Sequence, residues 1–395
     1  MSFADFVAVA GADVIALSGG FPDLAALRGP DLAHLAGQLF RGRDADATGY
    51  AGAWGVPGFL KVLRERLRVR DGQVHGPGEL MVTSGATEGL HLAATALLTS
   101  ADQVLIESPT FPGAAAAFEA AGARLGAIEV DEDGVRVDRI GARLDSGDAS
   151  SLCYVVPDHQ NPTGATLSLE RRRSLAGLAR RHDLLIIEDV AYRELDFKGP
   201  RLPSLASLAP GHVVQLGTFS KTFMPGIRLG WAAGPRSLLE RLVEVKRRTD
   251  QCASPFGQRL LESFVRRGGF DAQIAEARVI YRRRCEAMLA ALAETMPAGV
   301  TWSRPCGGFF VWLSLPAGVP SAAVATVALD RGVACIPGEL LGTAGGLRLA
   351  FSAVAAERMP EAGRRLGEAI AAVSGTATSS QRLTAVTAMQ ISEGK

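Results

Sequence analysis

The chain has 395 residues, room for two or three domains of ordinary size and a substantial buried core. Hydrophobic residues make up 47% and charged residues 21%, a globular balance that excludes a disordered or fibrous protein. With 42 Lys and Arg against 41 Asp and Glu, the net charge of +1 provides no bulk attraction toward nucleic acid or an anionic membrane.

Arg28 is the first basic residue and follows Asp5, Asp13 and Asp23, so the basic start of a secretion leader is missing. No apolar run approaches the ~18 residues that a membrane span needs. A soluble, cytoplasmic protein is expected. Cys153, Cys252, Cys285, Cys306 and Cys335 are scattered without a C-x-x-C pair, and the histidines form no H-x-x-x-H pair. Buried thiols in a reducing compartment are expected, with no disulfide framework and no metal site. Lysine occurs only at positions 61, 198, 221, 246 and 395, so chemistry that needs an amine has few candidates.

In chain order, short apolar runs alternate with helical stretches. Residues 104–106 (VLI) precede an alanine-rich helix over 112–121. Residues 152–156 (LCYVV) precede a helix over 168–182, with Ser168 as N-cap and Leu175, Leu178 and Ala179 on one face. Residues 184–187 (LLII) and 213–216 (VVQL) complete a βα series, which predicts a mostly parallel sheet covered by helices. A long helix over 270–296 leads to a smaller α+β unit with strands near 309–315, 333–336 and 347–351. Helices near 321–331 and 355–373 complete that unit. The expected divisions are an N-terminal arm (1–45) packing on the smaller unit, a large domain (46–275), the long helix with a small domain (276–375), and a tail (376–395).

Open parallel sheets bind ligands beyond the carboxyl ends of their strands, so the residues after each run matter most. Residues 104–106 are followed by Phe111, and residues 152–156 by a polar loop containing Asn161. Residues 184–187 lead to Asp189 and Tyr192, and residues 213–216 to Ser220 and Lys221, with Arg228 seven positions on. Upstream, Gly85, Ala86 and Thr87 open an apolar helix. An aromatic face, an amide, a carboxylate, a phenol, an amine, a guanidinium and a helix N-terminus suit a flat, phosphorylated aromatic cofactor held by an amine. Pyridoxal phosphate is such a cofactor.

The segments SGATEGL (84–90), SPTF (108–111), QNPTG (160–164), EDVAY (188–192) and FSKTFMPGIRLGW (219–231) resemble the class I/II aminotransferases. These are pyridoxal-phosphate enzymes of fold type I, an α/β fold with a smaller α+β domain. The flavour is nearest the 2-aminoadipate, aromatic and branched-chain branch, and with Tyr50 to Gly58 and Leu347 to Leu349 the likeness spans nearly the whole chain.

The resemblance implies that Lys221 forms the Schiff base and shuttles the proton, while Asp189 sits against the pyridine nitrogen. Tyr192 and Asn161 would bond the phenolic oxygen, and Phe111 would stack on the ring. Gly85, Ala86, Thr87, Ser220 and Arg228 would hold the phosphate. It further implies that Tyr50 reaches the phosphate of a neighbouring subunit, giving a homodimer with shared active sites. Arg348, Asn161 and Gly20 would meet the substrate. The activity implied is ping-pong transfer of an amino group between an α-amino acid and a 2-oxo acid. A lyase, decarboxylase or cyclase using the same lysine is the alternative, and a non-catalytic ligand-sensing domain a remote one. Residues 337–342 lack the aromatic residues common there, which predicts a more open pocket or one shaped for a polar substrate.

Overall fold

The computed structural model describes residues 5, 7, 13–24, 27–197 and 201–392, and for residues 30 and 376–392 the backbone alone. Among the described residues no helix is long and apolar enough to cross a membrane. The chain divides into two compact units, one of Phe21–Ile280 with Cys306–Gly308, the other of Met1–Gly20, Tyr281–Pro305 and Phe309–Lys395.

Strands are numbered along the chain, beginning with β1 (Ile15–Ala16) in the smaller unit. The larger unit is built on β2 (Leu80–Thr83), β3 (Gln103–Ser108), β4 (Arg124–Asp131), β5 (Gly134–Val135), β6 (Leu152–Val155), β7 (Leu185–Asp189), β8 (Val213–Thr218) and β9 (Gly230–Ala233). They form one sheet in the order β2-β9-β8-β7-β6-β3-β4-β5. The ladders from β8 through β7, β6 and β3 to β4 are parallel; β9 is antiparallel to both neighbours, and β5 closes a hairpin on β4. The carboxyl ends of β2, β8, β7, β6 and β3 therefore share one sheet edge, and β9 starts from that same edge.

Every residue of β2, β6 and β9 is buried, as expected where helices cover both faces of a parallel sheet. The helix Leu169–His182 begins at Ser168, whose side chain accepts from the Arg171 N–H, and ends at Asp183 in the left-handed conformation. On its inner face Leu175, Leu178 and Ala179 join a core with Ile186 and Val155. β4 and β5 are additions to the elements expected from sequence: β4 alternates partly exposed and buried residues and carries Gly126 and two acidic residues, so its apolar run is short.

In the smaller unit β10 (Thr301–Trp302), β11 (Phe310–Ser314), β13 (Ile336–Pro337) and β14 (Gly346–Ala350) form an antiparallel sheet in the order β10-β11-β14-β13. β12 (Val333–Ala334) pairs in parallel with β1. The run expected as a single strand over 333–336 is thus split at Cys335 between two partners. The helix Gly269–Thr295 starts in the larger unit and ends in the smaller one. The N-terminal arm parts at Gly20: the helix Gly29–Arg41 groups with the larger unit, where Leu32, Leu35 and Leu39 share a core with Phe59, Leu60 and Leu63. The last helix spans Met359–Ser392, beyond the end expected near residue 373.

Candidate active site

Asp189 closes β7 and is only 5% exposed. Its Oδ2 accepts from Tyr154 Oη at 3.0 Å, and its Oδ1 accepts from the Ala191 N–H at 3.1 Å. Burial pushes this carboxyl up to about 6, against the opposing pull of those two donors and the nearby Lys221 ammonium. Lys221 lies three residues beyond β8, the strand hydrogen-bonded alongside β7. Tyr192 follows in the turn after β7 and is buried, 4% exposed.

Among the described lysines the contrast is clear. Lys61 is exposed on the helix Pro57–Asp71. Lys246 is fully buried, with its ammonium 2.8 Å from both Glu88 and Asp250. Lys198 and Lys395 lie outside the described residues.

A second group of predicted residues meets where β2, β9 and β8 reach the sheet edge. The helix Ala86–Leu97 starts after Gly85 with no side-chain cap, so its first N–H groups keep their donor capacity. Gly85 has φ +96°, and a β-carbon there would stand 2.8 Å from Arg228 Nη2. Arg228, itself left-handed with φ 52°, donates through Nη1 to Ser220 Oγ at 3.3 Å and through Nη2 to the Ser84 carbonyl at 3.2 Å. Gly230 allows this closeness, because a β-carbon there would lie 2.6 Å from the Gly217 carbonyl oxygen and 2.9 Å from the Ala86 nitrogen. Ala86 is half-buried and Thr87 exposed, leaving the helix start open on one side.

Asn161, 5% exposed, sits in the loop after β6. Gln160 folds that loop: its Nε2 donates to the Pro109 carbonyl at 2.8 Å and to Glu107 at 3.1 Å, while its Oε1 accepts from the Thr163 N–H and hydroxyl. Burial pushes Glu107 up to about 8, above the usual carboxylate range. Asp158 is the opposite case: burial acts to raise it, but Arg193 and Arg172 hold it well below that range. Phe111 caps the helix Pro112–Ala120 and lays its ring over Gly113, where a β-carbon would sit 2.6 Å from the ring.

Three predicted residues remain. Tyr50 is 94% exposed, unlike the buried Asp189, Tyr192 and Asn161. Arg348 and Gly20 belong to the smaller unit. There Arg348 is 2% exposed on β14, donates to the Ser18 carbonyl at 2.6 Å and lies 4.5 Å over the Phe310 ring. A β-carbon on Gly20 would meet the same ring at 2.7 Å. Beside the 337–342 segment, Trp312 from β11 supplies aromatic surface, its ring 3.1 Å from where a Gly338 β-carbon would be.

Sequence reasoning passed over Tyr154, Glu107 and Gln160. Register carries the missing signal: Tyr154 pairs with Ile187, two residues before Asp189, which brings its phenol within reach of that carboxylate.

This fold and these groups define a transferase of fold type I. The chain belongs to the aminotransferase class I and II family, whose model matches residues 12–366. It is similar to aromatic-amino-acid aminotransferase 1 of Thermococcus litoralis, 33% identical across 91% of this chain and 88% of that one. Among solved structures it resembles the multiple substrate aminotransferase of Thermococcus profundus, with a TM-score of 0.90 and 32% identity over 95% of this chain and 94% of that one. It also resembles LysN, the alpha-aminoadipate aminotransferase of Thermus thermophilus, complexed with N-(5'-phosphopyridoxyl)-L-leucine. That likeness has a TM-score of 0.87 and 29% identity over 95% and 97% of the two chains.

Proposed function

We propose that the protein binds pyridoxal phosphate through Lys221 and moves an amino group between an α-amino acid and a 2-oxo acid in two half-reactions. The observation that carries this reading is the pairing of Asp189 and Lys221 at adjacent strand ends. A carboxylate buried this deeply, its proton affinity raised, has a use for a cationic ring nitrogen as partner. The open start of the helix Ala86–Leu97, with Arg228 and Ser220 beside it, fits a phosphate dianion. The residues therefore fit the cofactor. Bound there, pyridoxal phosphate supplies an aldehyde and an electron-poor ring that accepts the electron pair freed at the substrate α-carbon.

The chain's own groups do the rest. Asp189 keeps the ring nitrogen protonated, and Tyr154 keeps Asp189 in place. Lys221 Nζ would supply the amine that holds the cofactor and, once freed, would act as the base that takes the proton from the substrate α-carbon. Tyr192 and Asn161 donate to the oxygen on the ring, and Phe111 covers one ring face. Arg348 and the Gly20 backbone receive the substrate: a buried guanidinium fork is the group best suited to an α-carboxylate. The exposure of Tyr50 supports a role toward the phosphate of a second subunit in a homodimer.

The test is the visible spectrum of the purified protein, with a panel of amino acids added one at a time. A cofactor band that is absent in Lys221→Ala and bleaches with a subset of donors, regaining its colour with a 2-oxo acid, is the expected result. Release of ammonia or carbon dioxide in place of that cycle would assign a lyase or decarboxylase outcome. Failure to take up the cofactor at all would remove the reading.

A further inference from the structure

Three side chains that the proposed reaction does not use meet inside the larger unit. His159 comes from the loop after β6, Asp196 from the segment after β7, and Cys306 from a short stretch much later in the chain. A ring nitrogen, a carboxylate oxygen and the thiol sulfur lie within 4.8 Å of one another. His159 Nε2 is 3.2 Å from Asp196 Oδ1, and its Nδ1 is 3.3 Å from the Thr166 hydroxyl.

The backbone fixes this arrangement. The Phe197 N–H donates to the Cys306 carbonyl at 2.7 Å and the Gly308 N–H to the Leu195 carbonyl at 3.1 Å, with Asp196 and Gly307 bridged between them. Gly307 and Gly308 press flat on the histidine, since β-carbons there would stand 2.3 Å from Nε2 and 2.6 Å from the His159 Cβ. His159 itself takes φ 52°, a left-handed conformation that non-glycine residues rarely adopt. The imidazole is 2% exposed, whereas Cys306 is only half-buried.

We propose that Cys306 is a thiol-modification site: a thiolate paired with the His159 imidazolium, which Asp196 orients, and poised to attack small disulfides and alkylating electrophiles. With a disulfide RSSR, the Cys306 sulfur attacks one sulfur, a Cys306–S–S–R bond forms, the original S–S bond breaks, and RS⁻ leaves.

The electrostatics agree with the geometry. The hydrogen bond from His159 holds the Cys306 thiol below its ordinary value, although burial and Asp196 oppose it. Burial works against the imidazolium, but Asp196, Cys306 and Asp158 together push His159 up to about 9. Asp158 is already engaged by Arg172 and Arg193, and Arg278 also acts on Asp196. The other cysteines provide internal controls. Burial pushes Cys335 up to about 12 and Cys153 higher still, Cys285 is buried, and Cys252 is half-buried with neither partner of the triad.

The experiment labels the intact holoenzyme with iodoacetamide, or with oxidised glutathione, in EDTA-containing buffer and maps the modified peptides by mass. At about pH 6.5 an ordinary thiol is only about 1% thiolate, so Cys306 should label on the order of tenfold faster than Cys252. Its rate should reach half its plateau below the ordinary thiol value of about pH 8.5. His159→Gln should bring the Cys306 rate down toward that of Cys252 at about pH 6.5, with recovery above about pH 9, and Cys306→Ser should remove the fast site alone. The wild-type pH profile needs no variant to fold. Equal labelling of Cys306 and Cys252 across the pH range, or a His159→Gln rate unchanged on the acidic side, would overturn the proposal.

Discussion

Asp189 carries a direct thermodynamic consequence. Its carboxyl binds a proton more tightly in the folded chain, near 6, than in an unfolded one, near 3.8. Between those values the native state holds the extra proton, so stability falls as pH rises from about 4 to about 6, by an amount on the order of 3 kcal/mol. A cationic ring nitrogen would cancel that loss. Cofactor-free protein should therefore melt at a higher temperature at about pH 4.5 than at about pH 6.5, and the difference should shrink in the holoenzyme, as calorimetry of both forms can read. Tyr154→Phe removes a donor to the charged carboxylate, a contact worth about 1.5–3 kcal/mol. The acidic limb of kcat/KM should move to higher pH in that variant, because Asp189 loses a group that favours its ionised form. Unchanged pH profiles would leave Tyr154 as packing only. Glu107, raised by burial to about 8, works in the same direction: Glu107→Gln should flatten the decline of stability toward alkaline pH, measured by denaturant titration.

At the level of elements, the closest approach is between β9 and the start of the helix Ala86–Leu97. Gly230→Ala would drive a methyl group into the Gly217 carbonyl and the Gly85–Ala86 peptide, none of which can move without opening the sheet. A loss of about 1–3 kcal/mol and much weaker cofactor retention are expected, readable as Tm and as the cofactor dissociation constant. Ser168 is a milder case: Ser168→Ala should cost about 1 kcal/mol through the lost cap, with cofactor binding unaffected. The βα series and its strand ends were legible because each apolar run is short, buried on both faces and followed by polar punctuation. They made Asp189, Lys221, Ser220, Arg228 and Gly85 candidates from the sequence alone. Tyr154 was not legible, since a tyrosine in an apolar strand looks like core until the neighbouring strand's register is known. The His159, Asp196 and Cys306 cluster was hidden for a stronger reason: its members lie up to 147 positions apart, and local spacing carries no trace of their meeting. The division of the arm at Gly20 was equally invisible, because the Leu32, Leu35 and Leu39 stripe states that a face is buried but not against what.

For the whole molecule, the proposed sharing of sites between subunits has a test that neither subunit alone can pass. A Tyr50→Phe chain and a Lys221→Ala chain should each be weak or inactive as homodimers, while their mixture should regain part of the activity through one hybrid site. Absence of any gain on mixing would argue for independent sites. The sheet itself also acts as a gauge. Arg228 precedes β9 and Asp189 ends β7, with β8 between them, so two inter-strand steps separate the proposed phosphate end from the proposed ring end. At roughly 4.8 Å per step that interval is about 10 Å, and it is set by backbone hydrogen bonds. Under the proposed binding mode the molecule would measure its ligand with a backbone lattice. Pyridoxal without its phosphoester arm would reach only one end of that interval, and replacing Arg228 would weaken grip at one end while leaving the spacing intact.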